Sequence, residues 1–180
     1  QTISEVDLGS RTAVAIAAGY KSAYAVTENN RVYGWGNNAN GQMGAAPTSA
    51  GTLPVAIDAL SDKDIVEISA GYSALALVSS SHFGTGDPLF GEILGAGRNS
   101  KGELGNGYIS NASGSVTNVM LDSANEAKDM ITVSTSGTGN HSASIDRRGD
   151  VYVWGLGGSG QIGNGMFDDQ PYPATAGISQ

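Results

Sequence analysis

The sequence predicts an all-β fold of β-propeller-type blades, each made of four antiparallel strands, with about three blades and a ring left incomplete within one chain. Three observations carry this: a pattern that recurs three times, apolar residues that alternate with a period of two, and glycine at 27 of 180 residues, roughly twice the usual share. The recurrence is legible directly. VAIAAGYKSAYAVTENNRVYGWGNNANGQMG begins at Val14, IVEISAGYSALALVSS at Ile65 is followed after an insertion by EILGAGRNSKGELGNG, and ITVSTSGTGNHSASIDRRGDVYVWGLGGSGQIGNG begins at Ile131. Gly36, Gly97 and Gly155 align across the copies, as do Gly19, Gly71 and Gly139.

In chain order, residues 3–8 (ISEVDL) are similar to LPVAID at 53–58, so segment 1–13 is expected to hold the last strand of a preceding repeat. Repeat 1 spans 14–60, repeat 2 spans 61–126 with an insertion at 79–91, and repeat 3 spans 127–180. First strands are expected at 14–18, 65–69 and 131–135, where short apolar runs end at small residues. Second strands at 22–27, 73–78 and 142–146 and third strands at 31–36, 91–97 and 150–155 alternate between two faces, as a pleated backbone requires. Glu28-Asn29-Asn30 and Arg147-Arg148-Gly149 separate them at hairpin length, and Asn and Gly tolerate the positive φ of tight hairpins. Fourth strands are expected at 53–57, 116–121 and 172–175.

Composition excludes several functions. Charged residues are 14% of the chain, too few for charge repulsion to hold it unfolded. Nine Lys plus Arg against 17 Asp plus Glu give a net charge of -8, and because a chain that neutralises phosphates needs a basic patch, direct nucleic-acid binding is disfavoured and no nucleic-acid partner is expected. The absence of Cys removes disulfides, thiolate metal sites and Cys nucleophiles. No apolar run approaches the ~20 residues of a membrane-spanning helix, so no membrane insertion is expected. The chain opens at Gln1 without a signal peptide, which suggests a processed product, an excised domain or an offset numbering. Low charge with abundant Gly, Ser, Thr, Asn and Ala is common in extracellular, cell-surface and virion proteins, a compositional association that leaves a cytoplasmic setting open.

AAGYKSAYAVTENNRVYGWGNNANGQMG and GNHSASIDRRGDVYVWGLGGSGQIGNG resemble the repeat of the regulator of chromosome condensation family, whose pattern runs A-G-x-x-H-S, a strand, a turn, V-Y-x-W-G, then G-Q-L-G-x-G. The chain departs from it in three ways. The pattern's His occurs only as His141, with Lys21 or Ser73 elsewhere; its Trp becomes Ala96 in the second repeat; and Glu103 stands where Gln42 and Gln161 stand in the others. The resemblance implies a propeller, in that family of about seven blades, within the general range of four to eight. Three repeats do not close such a ring, so either the chain is a fragment or copies complete a ring or filament head to tail, the 3–8 strand pairing with a neighbour's last repeat. Protein partners or other copies of the chain are therefore expected at exposed strand edges.

Candidate chemistry is sparse. Gly155-Leu156-Gly157-Gly158-Ser159-Gly160 satisfies G-x-G-x-x-G, but no helix follows and no acidic residue lies about 20 positions on, as a dinucleotide site requires; no cofactor is expected. Arg148-Gly149-Asp150 spells the tripeptide that integrins recognise, at a hairpin where Gly is expected for backbone reasons. His82, Phe83, Asp87 and Phe90 sit in the insertion, and loops on a rigid scaffold are where function concentrates. These four residues, with Arg148, Gly149 and Asp150, are the candidate partner-binding residues. His141 occupies the position where the family places a structural His. Trp35 and Trp154 are equivalent by repeat, which suits packing between blades and leaves no Trp cluster for light sensing. Asp62/Asp64 and Asp168/Asp169 show no ligand loop of calcium type, so no metal is expected. Asn111-Ala112-Ser113 and Asn140-His141-Ser142 fit the glycosylation sequon. No catalytic set emerges, and the expected function is a non-enzymatic scaffold for protein interaction or self-assembly. Exchange of guanine nucleotide on a small GTPase and enzyme inhibition are the alternatives by family precedent.

Overall fold

A computed structural model describes residues 5–46, 48–61, 63–72, 74–80 and 91–177. Its strands fall into three sets of four. The first blade is β1 (Ala13–Ala18), β2 (Ser22–Thr27), β3 (Val32–Asn38) and β4 (Thr48–Ala56), followed by a 3-10 turn at Asp58–Leu60. The second is β5 (Asp64–Ala70), β6 (Ala74–Ser80), β7 (Gly91–Asn99) and β8 (Ser110–Asn118); the third is β9 (Met130–Thr135), β10 (His141–Asp146), β11 (Val151–Gly155) and β12 (Gln170–Thr175). Each blade is an antiparallel meander in chain order, and the second and third sheets join where Gly91 bridges Met130.

The registers repeat. Ile16, Ala25 and Tyr33 stand opposite one another in the first blade; Ile68, Leu77 and Leu94 do so in the second, and Val133, Ser144 and Tyr152 in the third. Residues in such a row share a sheet face. The core forms between faces of successive blades. Tyr24, Val26, Val32, Ile57 and Leu60 of the first blade pack on Ile65, Ile68 and Leu94 of the second. Ile93, Val119, Ala127 and Met130 likewise pack on Val133, Tyr152 and Trp154 of the third. Tyr24 is fully buried, its ring against Gly34 and its hydroxyl donating to the Gln42 carbonyl at 3.2 Å, and burial pushes its pKa up to about 12.

The glycine-rich loops after the third strands are the same turn built three times. Gly36, Gly97 and Gly155 have φ of +94°, +118° and +99°, a region L side chains seldom enter. A Cβ at Gly36 would lie 2.4 Å from the Lys21 carbonyl oxygen, and one at Gly155 2.5 Å from that of Asn140. Beyond them the side chain of Gln42, Glu103 or Gln161 turns back to accept the backbone N–H two residues earlier, at 2.9, 2.6 and 2.8 Å. The Gln-to-Glu departure has a partner: Gln42 faces Asn37, whereas Glu103 lies 3.5 Å from Arg98 at the equivalent position.

Three sequence expectations change. The fourth strands begin earlier, at Thr48, Ser110 and Gln170, because ladder bulges carry the pairing past Gly36 and Gly97 and as far as Gly155. Of the strand expected at 3–8, residues 5–8 pair with no described strand of this chain, and Asp7 accepts the Gly9 N–H in a local turn. Gly139 is not the counterpart of Gly19 and Gly71. Gly19 N–H donates to Ser22 O, and Ser136 N–H makes the same bond to His141 O. The turn after β9 is thus two residues longer than that after β1. The register also sets His141 opposite Gly155 as Ser22 is opposite Gly36, one position from the sequence alignment.

Gly155→Ala is expected to cost about 1–3 kcal/mol in urea denaturation, from backbone strain and the 2.5 Å approach to Asn140 O. Gly158→Ala, with nothing within 4 Å of its Cβ position, should stay within about 0.5 kcal/mol of wild type.

Candidate functional site

Two regions carry the candidate residues described by the structure: the hairpin joining β10 to β11, and the faces and seams of the blades. His82, Phe83, Asp87 and Phe90 lie outside the described residues.

Asp146 N–H donates to Asp150 O, as Thr27 N–H does to Arg31 O in the first blade. The two hairpins share a register, and Gly149 at φ +89° takes the place of Asn30 at φ +56°. Asp146 organises the turn: its Oδ1 accepts the backbone N–H of Arg148 at 2.9 Å and of Asp150 at 3.0 Å. The Arg148 guanidinium folds back on Asp146, 2.9 Å from Oδ2, reaches the Tyr152 hydroxyl at 3.4 Å, and lies 3.3 Å from Asp150. Arg148 and Asp150 are thus held together at the tip beside a groove of about 300 Å³, also lined by Leu121, Glu126, Asp129 and Arg147. Burial alone would push the Asp146 carboxyl up; the two N–H bonds and the Arg148 cation outweigh it and hold the group below its ordinary value.

The other candidates serve the scaffold. Trp154, 1% exposed, donates from Nε1 to Glu103 O at 2.9 Å and lies against Gly105, so it spans the seam between second and third blades. Trp35 is half-buried on the first blade. His141 Nδ1 is 3.0 Å from Gly139 O. Asp169 accepts Gly157 N–H and the Lys101 ammonium, Asp64 accepts Asn30 Nδ2, and Asp62 lies outside the described residues. Among the described residues no group of three or more His, Cys, Asp or Glu is placed to hold a metal. No helix is long and apolar enough to cross a membrane.

Sequence reasoning missed the polar stitching of the second seam. Glu67 accepts from Thr132 Oγ1 and Val133 N–H, each at 3.0 Å, while Ser69 Oγ accepts Thr135 N–H at 3.0 Å. The signal was present in DIVEISA, where Glu and Ser interrupt an apolar strand. Also missed was the asymmetry of the apolar faces. Ile68 is 9% and Val133 3% exposed, but Ile16, at the equivalent register, is 73% exposed. Val14 is exposed beside it, with Tyr33 and Trp35 half-buried on the same face and the Arg11 cation 5.4 Å from the Tyr33 ring centre.

Stacked four-stranded blades with one recurring loop define a β-propeller repeat protein. Residues 13–42 and 29–78 match the Regulator of chromosome condensation (RCC1) repeat, so the chain carries repeats of this kind. It is 28% identical over 163 residues to the human E3 ubiquitin-protein ligase HERC2, covering 89% of this chain and 3% of the relative. It is 26% identical over 159 residues to the Ultraviolet-B receptor UVR8 of Arabidopsis thaliana, covering 88% and 32%. Among solved structures, human WBSCR16 superposes with a TM-score of 0.73 at 20% identity, over 94% of this chain and 41% of that one. Prp20p from Saccharomyces cerevisiae, described with binding properties to Gsp1p and histones, gives 0.73 at 22% identity over 91% and 38%. The chain spans less than half the length of each.

Asp146→Asn tests the hairpin. A carboxyl whose folded pKa lies below its unfolded value of about 3.9 adds stability above that pH and loses it as pH falls through the folded value. The variant should melt earlier than wild type at neutral pH, and the two melting curves should converge below the folded pKa; a constant difference across the titration would show that the charge is not what matters.

Proposed function

We propose that this chain is a non-enzymatic scaffold that acts by protein interaction, through the uncovered face of its first blade. The observation that carries this is the burial contrast at one register: Ile68 and Val133 are covered by the preceding blade, and Ile16 is not. A face of Val14, Ile16, Tyr33 and Trp35 repeats the chemistry of the faces that the first two blades cover. It therefore suits another blade of this repeat, whether from the same protein, from a second copy or from a partner of the same architecture, in a head-to-tail contact. At the far end, Ala143, Ile145 and Val151 of the third blade are half-buried on the face that earlier blades use to cover a successor. A solved protein of this fold, Prp20p, is described with Gsp1p and histones and, as yeast RCC1, bound to Kap60, which supports an interaction role. The low charge and small-residue composition favour a surface, secreted or virion assembly as its setting.

Sedimentation velocity of the full chain tests this. Wild type is expected to associate with rising concentration and Ile16→Lys to remain at the 18.2 kDa of one chain, folded, because position 16 is already solvent-facing. A wild type that stays monomeric at its highest soluble concentration would contradict assembly through this face.

A further inference from the structure

Asn is followed by Gly three times, at Asn40-Gly41, Asn106-Gly107 and Asn164-Gly165. Such a pair is chemically labile, because the glycine amide nitrogen reaches the asparagine side-chain carbonyl carbon with no side chain of its own in the way, and Asn is a thermolabile residue for this kind of reason. In the first two pairs that nitrogen is engaged. Gly41 N–H donates to Asn38 O at 3.0 Å, and Gly107 N–H donates across the seam to Pro171 O of the third blade at 2.9 Å. The third pair is built differently. No group among the described residues accepts the Gly165 N–H, and Gly165 is exposed, with nothing within 4 Å of its Cβ position. Asn106 and Asn164 are equivalent by repeat and start the same turn: each side-chain oxygen accepts the backbone N–H two residues on, from Tyr108 at 3.3 Å and from Met166 at 3.0 Å. The Asn106 oxygen also accepts from Asn99 Nδ2 at 3.1 Å, whereas the residue equivalent to Asn99 in the third blade is Gly157, which has no side chain to offer.

We propose that Asn164 is a site of spontaneous covalent modification, at which the Gly165 nitrogen closes a succinimide ring on the asparagine side chain. The Gly165 nitrogen, having given its proton to hydroxide, attacks Asn164 Cγ. A C–N bond forms, the Cγ–Nδ2 bond breaks, and the Nδ2 group takes up a proton from water and leaves as ammonia. Water then opens the ring at either carbonyl. Opening at Cγ gives aspartate; opening at the Asn164 backbone carbonyl gives isoaspartate, whose main chain runs through Cγ. The Met166 N–H bonded to Oδ1 draws electron density from Cγ and keeps the side chain turned toward its own backbone. Either product sets a carboxylate where an uncharged amide stood, four residues before Asp168. Gly107 shows what closes the reaction: a blade stacked on the third, with a carbonyl placed as Pro171 O is placed for Gly107, would hold the Gly165 N–H. This protection by a following blade rests on the blade-stacking reading, whereas the reactivity of Asn164 does not.

The test is to age the freshly prepared full chain in mildly alkaline buffer, where the Gly165 nitrogen loses its proton more readily, and to map it by trypsin digestion and mass spectrometry. Cleavage after Arg148 releases 149–180, in which Asn164 is the only asparagine, and cleavage after Lys101 and Lys128 releases 102–128 with Asn106. Conversion of amide to carboxyl is expected at Asn164, with isoaspartate read by enzymatic methyl-ester formation. It should run about tenfold faster than at Asn106, the factor imposed when a hydrogen bond has to open first. In urea, with turn and seam gone, the two sites should react at similar rates, which separates folded structure from local sequence. Equal rates in the folded chain, or an intact Asn164 under conditions that modify the unfolded chain, would overturn the proposal. Ile16→Lys, aged beside wild type at a concentration where wild type associates, separates the two readings. Slower reaction in wild type supports protection by a stacked blade; equal rates would contradict stacking of copies at this end, and the preference for Asn164 over Asn106 in the Ile16→Lys chain would still decide the site.

Discussion

A twisted sheet of four short strands with apolar residues on both faces has to be covered on both sides, and in this chain each blade is covered by its neighbour. That stacking constraint organises the rest of the molecule. The second blade meets it fully: Ile68 and Leu94 lie against the first blade, Ile93 and Val119 against the third. Repeat proteins of this kind derive their stability from each unit's own terms plus nearest-neighbour interfaces, so the middle blade is the anchor of the described structure.

Close stacking sets demands on the backbone. At the ends of the first strands the blades approach until a Cβ at Gly19 would lie 2.6 Å from Gly71 O, and one at Gly71 2.7 Å from Ser136 O. Tyr20 N–H uses that proximity to donate to Gly71 O at 3.1 Å, and Tyr20 stacks on Tyr72 with ring centres 4.6 Å apart. Small Ala15 and Ala17 fit the first seam, whereas Glu67 and Ser69 at the equivalent positions satisfy the β9 backbone across the second. The same architecture thus tolerates an apolar seam and a hydrogen-bonded one, because buried N–H groups need partners but not particular ones.

The hairpins of the second and third strands were legible in the sequence because period-two alternation and a turn residue of positive φ both act within a dozen residues. Gly36, Gly97 and Gly155 were legible for the same reason, as a local backbone need repeated three times. Features set across blades were not. The fourth strands begin where bulges at those glycines permit, and Gly139 is displaced from its expected role by two extra residues before β10. Glu67 finds its partners on β9, 65 and 66 residues away. Of the candidate site, Arg148, Gly149 and Asp150 lie at the hairpin tip as expected, and Arg148 pairs with Asp146 two residues before it, a local contact that turn chemistry alone does not specify. The exposed face around Ile16 could not be read from composition, because Ile16, Ile68 and Val133 are alike in sequence and differ only in what covers them.

Native-state hydrogen exchange across increasing denaturant tests the stacking account most directly. Paired amides of β5–β7, covered on both sides, should exchange only through the highest-energy opening. Those of β1–β3, covered on one side, should open at lower free energy, and Ile16→Lys should leave this order intact. Equal opening energies for all three blades, or greatest protection in the first, would contradict the claim that stacking on both faces holds this fold together.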